Sequence, residues 1–357
     1  MKYGHCAINR LKSIYGVLHM QAHIKWAFPI KADARKWLAE SEIANMAINW
    51  FPGHMVAAQK KAAEALADID VVVEVLDARC PAASVNPKIN AMREARQRPA
   101  LKILNKVDLA DPKITELWLA YFNAQEGVRA IGLSCKKAGE SNKVLPEAQK
   151  LAPHRDGPLK RLRVMMMGVP NVGKSTLVNA LCQKRIANVG DEPAITKLIK
   201  RYDLPDGTWL FDTPGLMWPK IALETDGLLL AANHLVGVKS YIDEEVATYL
   251  AEILLARYPE SLTARYGLDT TDMDGPDVIE AIAKRRGFRI KGGSADFEKA
   301  AVTLLLDYRN GALGRITVET PETRGVQLAA LAVKLAEAEA KAETLRIAAL
   351  EKSSSAR

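Results

Sequence analysis

Cysteine is scarce in this 357-residue chain: Cys6, Cys80, Cys135 and Cys182 are the four, and no two stand in C-x-x-C spacing. Scattered thiols argue against a zinc site and for a reducing cytoplasm. Long apolar runs are missing too. None reaches the roughly 18 residues of a membrane-spanning helix, so no membrane role is expected. Residues 1–45 lack the continuous apolar core of a secretion signal. They are basic and mildly amphipathic instead, with Lys25, Lys31, Arg35 and Lys36 among Trp26, Phe28 and Trp37. Asp33, Glu40 and Glu42 count against a transit peptide. What the chain does have is an apolar fraction of 48%, ample for a core, and a net charge of +8. A pI near 9.2 suits a polyanionic partner such as nucleic acid, with a solvated basic surface as the plainer alternative.

Gly168-Val-Pro-Asn-Val-Gly-Lys-Ser175 follows Leu162-Arg-Val-Met-Met-Met167, a short apolar run that reads as a buried parallel strand. It precedes Thr176-Leu-Val-Asn-Ala-Leu181, whose apolar spacing is helical. Strand, glycine loop and helix in that order are the context of a phosphate-binding loop. Gly168 and Gly173 let the backbone of Pro170, Asn171 and Val172 wrap a phosphate chain at a helix N-terminus. Lys174 would reach the β- and γ-phosphates, and the Ser175 hydroxyl would ligate Mg²⁺, with Thr176 beside it on the nucleotide.

Pro99-Ala-Leu-Lys-Ile-Leu104 reads as another strand, with Asn105-Lys-Val-Asp108 at the end where parallel sheets bind ligands. The Asp108 carboxylate can accept from guanine's N1–H and exocyclic amine, a donor pair that adenine lacks. Asn105 would tie loops together, and the Lys106 stem would cover the base. Val128-Arg-Ala-Ile-Gly-Leu-Ser134-Cys-Lys136 adds a third strand, whose Ser134 and Lys136 suit a contact to the base. The guanine loop precedes the phosphate loop here, the reverse of most GTPases. Both are present, so a GTP-binding α/β fold is expected; their inversion says that it is circularly permuted, with a mostly parallel sheet.

Trp209-Leu-Phe-Asp212-Thr-Pro-Gly215 is a strand entering Asp-x-x-Gly. Asp212 would hold Mg²⁺, directly or through water, and the Gly215 N–H would bond the γ-phosphate. In the polar loop Gly190-Asp-Glu-Pro-Ala-Ile-Thr196, Thr196 is the candidate switch threonine for Mg²⁺. Leu216 stands where many GTPases carry a water-orienting glutamine, and leucine cannot do that.

With these motifs go Asn49-Trp-Phe-Pro-Gly-His-Met55, Glu74-Val-Leu-Asp-Ala-Arg79-Cys-Pro81, Asp212-Thr-Pro-Gly-Leu-Met-Trp-Pro219, Lys291-Gly-Gly293 and Leu313-Gly-Arg-Ile316. Together they make the chain resemble the ribosome biogenesis GTPase A family (YlqF/RbgA type), bacterial permuted GTPases of late large-subunit assembly. The resemblance spans about Met46 to Leu313. It implies hydrolysis of GTP to GDP, a precursor of the large (50S) subunit and its rRNA as partner, and a monomer off the ribosome. It implies a hydrolytic role for His54 and a possible potassium ion at Asn171. Ala194 departs from the family's usual glycine and restricts the switch loop's backbone. The scattered cysteines disfavour the zinc-bearing permuted GTPases of small-subunit assembly.

The expected organisation is an extension over 1–45, poorly ordered and not necessarily native, then a permuted GTPase domain over 46–235. A helical RNA-binding domain over 236–320 and a C-terminal helix and tail over 321–357 complete it. Helical spacing over Tyr241–Tyr258, Pro276–Arg286 and Ala295–Asn310 carries the third assignment. Lys284, Arg285, Arg286, Arg289 and Lys291 are its candidate RNA contacts, or else a solvated helix end favoured by the dipole. In the expected cycle the GTP form docks on the immature subunit and hydrolysis, stimulated by the particle, releases it. The alternative is a nucleotide-sensing rRNA scaffold in which hydrolysis is incidental. A tRNA-modification GTPase is disfavoured by the permutation.

Overall fold

A computed structural model describes residues 54–155, 157, 160–184, 199–218 and 221–354, with side chains between 59 and 346. The 1–45 extension, the stretch before His54, the loop carrying Ala194 and Thr196, and the last three residues lie outside the described residues. So does the His54 side chain.

The described residues from 54 to 321 form one compact unit. Its centre is a six-stranded sheet of β1 (Val71–Asp77), β2 (Ala100–Asn105), β3 (Val128–Gly132), β4 (Arg163–Met167), β5 (Lys200–Asp203) and β6 (Trp209–Asp212). The spatial order is β3-β2-β1-β4-β6-β5, parallel throughout except for the β5–β6 pair. β1, Val-Val-Val-Glu-Val-Leu-Asp, is buried along its whole length, as a central strand covered on both faces must be. Its Val72 pairs with Ala100 and its Asp77 with Asn105, so β1 and β2 end level with one another. Glu74 and Lys102 are also register partners and form an ion pair inside the sheet.

The sheet order shows what the permutation does. The strand before the phosphate loop, β4, sits at the centre beside β1, although almost ninety residues separate them. Reading β4-β5-β6 first and β1-β2-β3 second restores the phosphate-before-guanine order without moving a strand. The expected mostly parallel α/β architecture is the observed one.

Helices α1 (His54–Ala65), α2 (Pro87–Ala95), α3 (Pro112–Asn123), α4 (Val144–Leu151) and α5 (Lys174–Leu181) accompany the sheet. α2 and α3 each begin with proline behind a capping side chain. Asn86 accepts from the Lys88 N–H, and Asp111 accepts from those of Lys113 and Ile114. Beyond the sheet come α6 (Glu224–Ala232), α7 (Asp243–Arg257), α8 (Pro259–Tyr266), α9 (Gly275–Arg286) and α10 (Phe297–Arg309). The sequence spacing anticipates α7, α9 and α10. It misses α6, whose Asp226–Ala232 run is buried on every side and so shows no period. It also misses α8, which starts one residue after α7.

Of the second unit only residues 322–354 are described, and they belong to the single long helix α11 (Pro321–Ser354). Among the described residues no helix is long and apolar enough to cross a membrane.

Candidate functional site

β4 runs into the phosphate loop, and α5 starts at Lys174. Gly173 takes φ +102°, and a Cβ there would collide with the Asn105 carboxamide, so only glycine fits. Pro170 and Val172 are buried, while Ser175 and Thr176 stand half-buried in the first helical turn. The buried Lys174 ammonium donates to the Gly168 and Val169 carbonyls at 3.0 and 2.7 Å. Burial lowers its pKa to about 8, with Asp212 opposing the shift. A helix N-terminus and a buried cation thus converge on one loop, a setting that suits an anion.

The guanine loop is bonded to that loop directly. Asn105 Nδ2 donates to the Val172 carbonyl at 2.7 Å, and Asn105 Oδ1 accepts the Cys135 N–H at 3.0 Å. Lys106, in the left-handed region at φ +66°, donates through Nζ to the Asn171 carbonyl at 2.9 Å. Residues more than sixty positions apart, in reversed chain order, therefore form one site. Asp108 Oδ1 is buried without a hydrogen-bond partner. Such an oxygen costs about 1–3 kcal/mol or more unless a ligand supplies the donor, and guanine's N1–H and amine are donors of that kind. Just beyond β3, the Ser134 N–H donates to Glu140 Oε2 at 2.6 Å, and its hydroxyl accepts the Lys136 N–H at 3.4 Å. The Lys136 side chain is exposed.

On the phosphate side β6 delivers Asp212, which is buried, and burial raises its carboxyl to about 6 against the pull of Lys174. Asp212 Oδ1 also has no hydrogen-bond partner. An unsatisfied carboxylate oxygen beside the α5 N-terminus fits a Mg²⁺ ion held by Asp212 and the Ser175 hydroxyl; Thr196, the third expected ligand, lies outside the described residues. Gly215 abuts the phosphate loop so closely that a Cβ would come within 2.9 Å of Pro170 Cγ. Leu216 donates its N–H to the Gly168 carbonyl at 3.1 Å. Its side chain is fully buried with Ala62, Leu66, Ile69, Val72, Ile89, Met165 and Met167. Asn171 donates its carboxamide N–H to the His234 carbonyl at 2.9 Å.

Two side chains hold the Asp-x-x-Gly loop. Asn86 Nδ2 donates to the Leu216 carbonyl at 2.8 Å, and Gln59 Nε2 donates to the Met217 carbonyl at 2.6 Å. Gln59 lies on α1, which brings that helix alongside the loop. His54 heads the same helix, about 7.5 Å along its axis from Gln59.

Sequence reasoning missed Asp77 and Arg79 as site residues. Asp77 accepts from Lys106 Nζ at 2.8 Å and from Arg79 Nε and Nη2 at 2.9 and 2.8 Å. Burial alone would raise the Asp77 carboxyl, but the Arg79 guanidinium and Lys106 ammonium outweigh it and hold the carboxyl well below its usual range. Arg79 also lies over the Tyr308 ring, 5.4 Å from its centroid, and Tyr308 donates to Asn233 Oδ1. The Asp-Ala-Arg run was the available signal, but nothing near it in sequence names these partners.

The five candidate RNA-contact residues are all exposed at or just beyond the end of α9. Lys284 pairs with Glu280 at 2.8 Å, Arg285 donates to the Gly267 carbonyl at 2.6 Å, and Arg286 lies over the Tyr266 ring. Arg289 is in an isolated bridge with Ala295, and Lys291 is in the turn between them. Three of the five side chains already have internal partners.

With this geometry in view, a family model described as a 50S ribosome-binding GTPase matches residues 163–256. Ribosome biogenesis GTPase A of Bacillus cereus is 37% identical over 295 residues, covering 79% of this chain and 97% of its own. Mitochondrial ribosome-associated GTPase 1 of Xenopus tropicalis is 31% identical, over 78% of this chain and 96% of its own. The crystal structure of GNP-bound YlqF from T. maritima aligns with TM-score 0.51 at 30% identity, over 74% of this chain and 99% of that one.

Proposed function

The chain belongs to the ribosome biogenesis GTPase A family and is a GTPase, and from that premise we propose that it serves a late step in maturation of the large (50S) ribosomal subunit, with turnover stimulated by the particle. The observation that carries the reading is the direct bonding of the guanine loop to the phosphate loop, with orphaned carboxylate oxygens on Asp108 and Asp212. Asp108 selects guanine, and Lys174 neutralises the phosphates. Ser175, Asp212 and Thr196 would hold Mg²⁺, which would supply charge neutralisation at the phosphates. Gly215 would donate its N–H to the γ-phosphate, and Asn171 would hold a potassium ion where one is used.

Leu216 is locked in an apolar cluster and cannot orient water, so another polar group must do so. His54, at the head of the helix that braces this loop, is the candidate, and the particle completes its placement. The helical segment 236–320 meets rRNA through Lys284, Arg285, Arg286, Arg289 and Lys291. The work is cytoplasmic, by a monomer when off the ribosome.

The buried Leu216 also favours a second reading, a nucleotide-sensing rRNA scaffold whose hydrolysis is incidental. Steady-state turnover with and without purified large subunits separates the two. The first reading expects many-fold stimulation and tighter co-sedimentation with GTP than with GDP, because coupling between the two sites is reciprocal. Equal particle affinity in both nucleotides, with no stimulation, would refute it.

A further inference from the structure

The guanine loop is also held from behind, by a strap that returns from the helical segment. After α10 the chain runs through Leu313–Glu319 alongside residues 107–111. Ile316 donates its N–H to the Leu109 carbonyl at 3.0 Å. Asp111 donates its own N–H to Thr317 Oγ1, also at 3.0 Å. The centre of the strap is Arg315. Its Nη2 donates to the Val107 carbonyl and its Nε to the Ala110 carbonyl, both at 2.8 Å. Those carbonyls lie on either side of Asp108. Arg315 is nevertheless exposed and fills no core position.

We infer that Arg315 is a positioning residue for guanine recognition, fixing the main chain on both sides of Asp108 so that its carboxylate meets the base squarely. The inference rests on Asp108 reading guanine. A carboxylate that accepts two parallel hydrogen bonds needs both oxygens in the plane of the base, so its main chain must not rock. A guanidinium bridging the flanking carbonyls supplies that stiffness with two charge-assisted bonds in fixed geometry. Thr317 and Ile316 keep the strap attached when Arg315 is removed, so the loop loses alignment rather than its place.

Two consequences separate this role from a general structural one. The base is common to GDP and GTP, so both lose affinity by the same factor. Hypoxanthine lacks the exocyclic amine and makes only one of the two bonds to Asp108, so inosine diphosphate loses less.

The experiment uses the full chain with Arg315→Ala and Arg315→Lys, measuring equilibrium binding of GDP, GTP and IDP and the rate of GDP release. For alanine the expected result is GDP and GTP weakened about tenfold, the scale of one charge-assisted bond, and GDP leaving correspondingly faster. The preference for GDP over IDP falls in step. Lysine, a single point donor, restores the preference only in part. If the alanine variant melts early, the lysine variant carries the same comparison. Unchanged affinities, or one equal loss across GDP, GTP and IDP, would overturn the inference. Wild-type protein indifferent between GDP and IDP would instead remove the guanine reading beneath it.

Discussion

The guanine loop and the Asp-x-x-Gly loop belong to one nucleotide site and are held by different physics. The first has charged braces besides its neutral bonds: Lys106 is tied to Asp77, Asp77 to Arg79, and Arg315 grips the main chain. Neutral groups hold the second, through one carboxamide each from Asn86 and Gln59 and the apolar burial of Leu216. A neutral hydrogen bond contributes about 1 kcal/mol net, whereas removing one member of a buried ion pair costs several. The half that reads the base is therefore stiff and preorganised. The half that meets the γ-phosphate is attached by bonds weak enough to be exchanged for ligand contacts.

The contrast can be broken most severely at Asp77. Asp77→Ala leaves the buried Arg79 cation and the half-buried Lys106 cation without their counter-charge, and denaturant unfolding should register a loss of about 3–5 kcal/mol. A loss below about 1 kcal/mol would mean that charge is not what braces this loop. The pH dependence has a definite sign. A carboxyl held below its unfolded pKa, near 4, contributes stability above that pH and loses it as pH falls toward the folded value. Wild type should therefore weaken below about pH 4 more steeply than the alanine variant does.

Asp108→Asn tests the base itself. Calorimetry should find GTP weakened about a hundredfold, since one oxygen acceptor becomes a donor facing the guanine amine. Xanthosine triphosphate should gain, because its C2 carbonyl accepts from the new amide. Unaltered guanine preference would move base reading elsewhere in the pocket. The smallest effect is expected at the neutral loop. Leu216→Gln places an amide in a dry cluster, costing about 1–3 kcal/mol in a melt, without speeding phosphate release. A many-fold faster turnover would show that the loop turns outward readily and that leucine is what limits hydrolysis.

Much of this was legible in the residues alone. Five of the strands are short apolar runs, and the phosphate, guanine and Asp-x-x-Gly loops have spacings that depend only on neighbours in sequence. β5, Lys-Arg-Tyr-Asp, is a largely exposed edge strand and offers no alternation to read. α6 hides for the opposite reason, being buried all round from Asp226 to Ala232. The bracing of the site was illegible on principle. Asp77 and Lys106, Asn86 and Leu216, and Val107 and Arg315 meet across 29, 130 and 208 positions, and no local pattern encodes such meetings. Leu216 shows the limit well: the sequence says that it cannot orient water, and only the structure shows where its side chain goes.

The strand order also sets a timetable. As the polypeptide is made from its N-terminus, β1, β2 and β3 can pair as soon as they emerge, with the base-reading loop already at their edge. No phosphate loop yet exists beside them. The nucleotide can be gripped only once β4 and α5 have been synthesised and have slotted in next to β1, and the Arg315 clasp arrives about 140 residues later still. A nascent chain is thereby kept from trapping GTP until about half of the protein has been translated, and its grip tightens only when the clasp arrives.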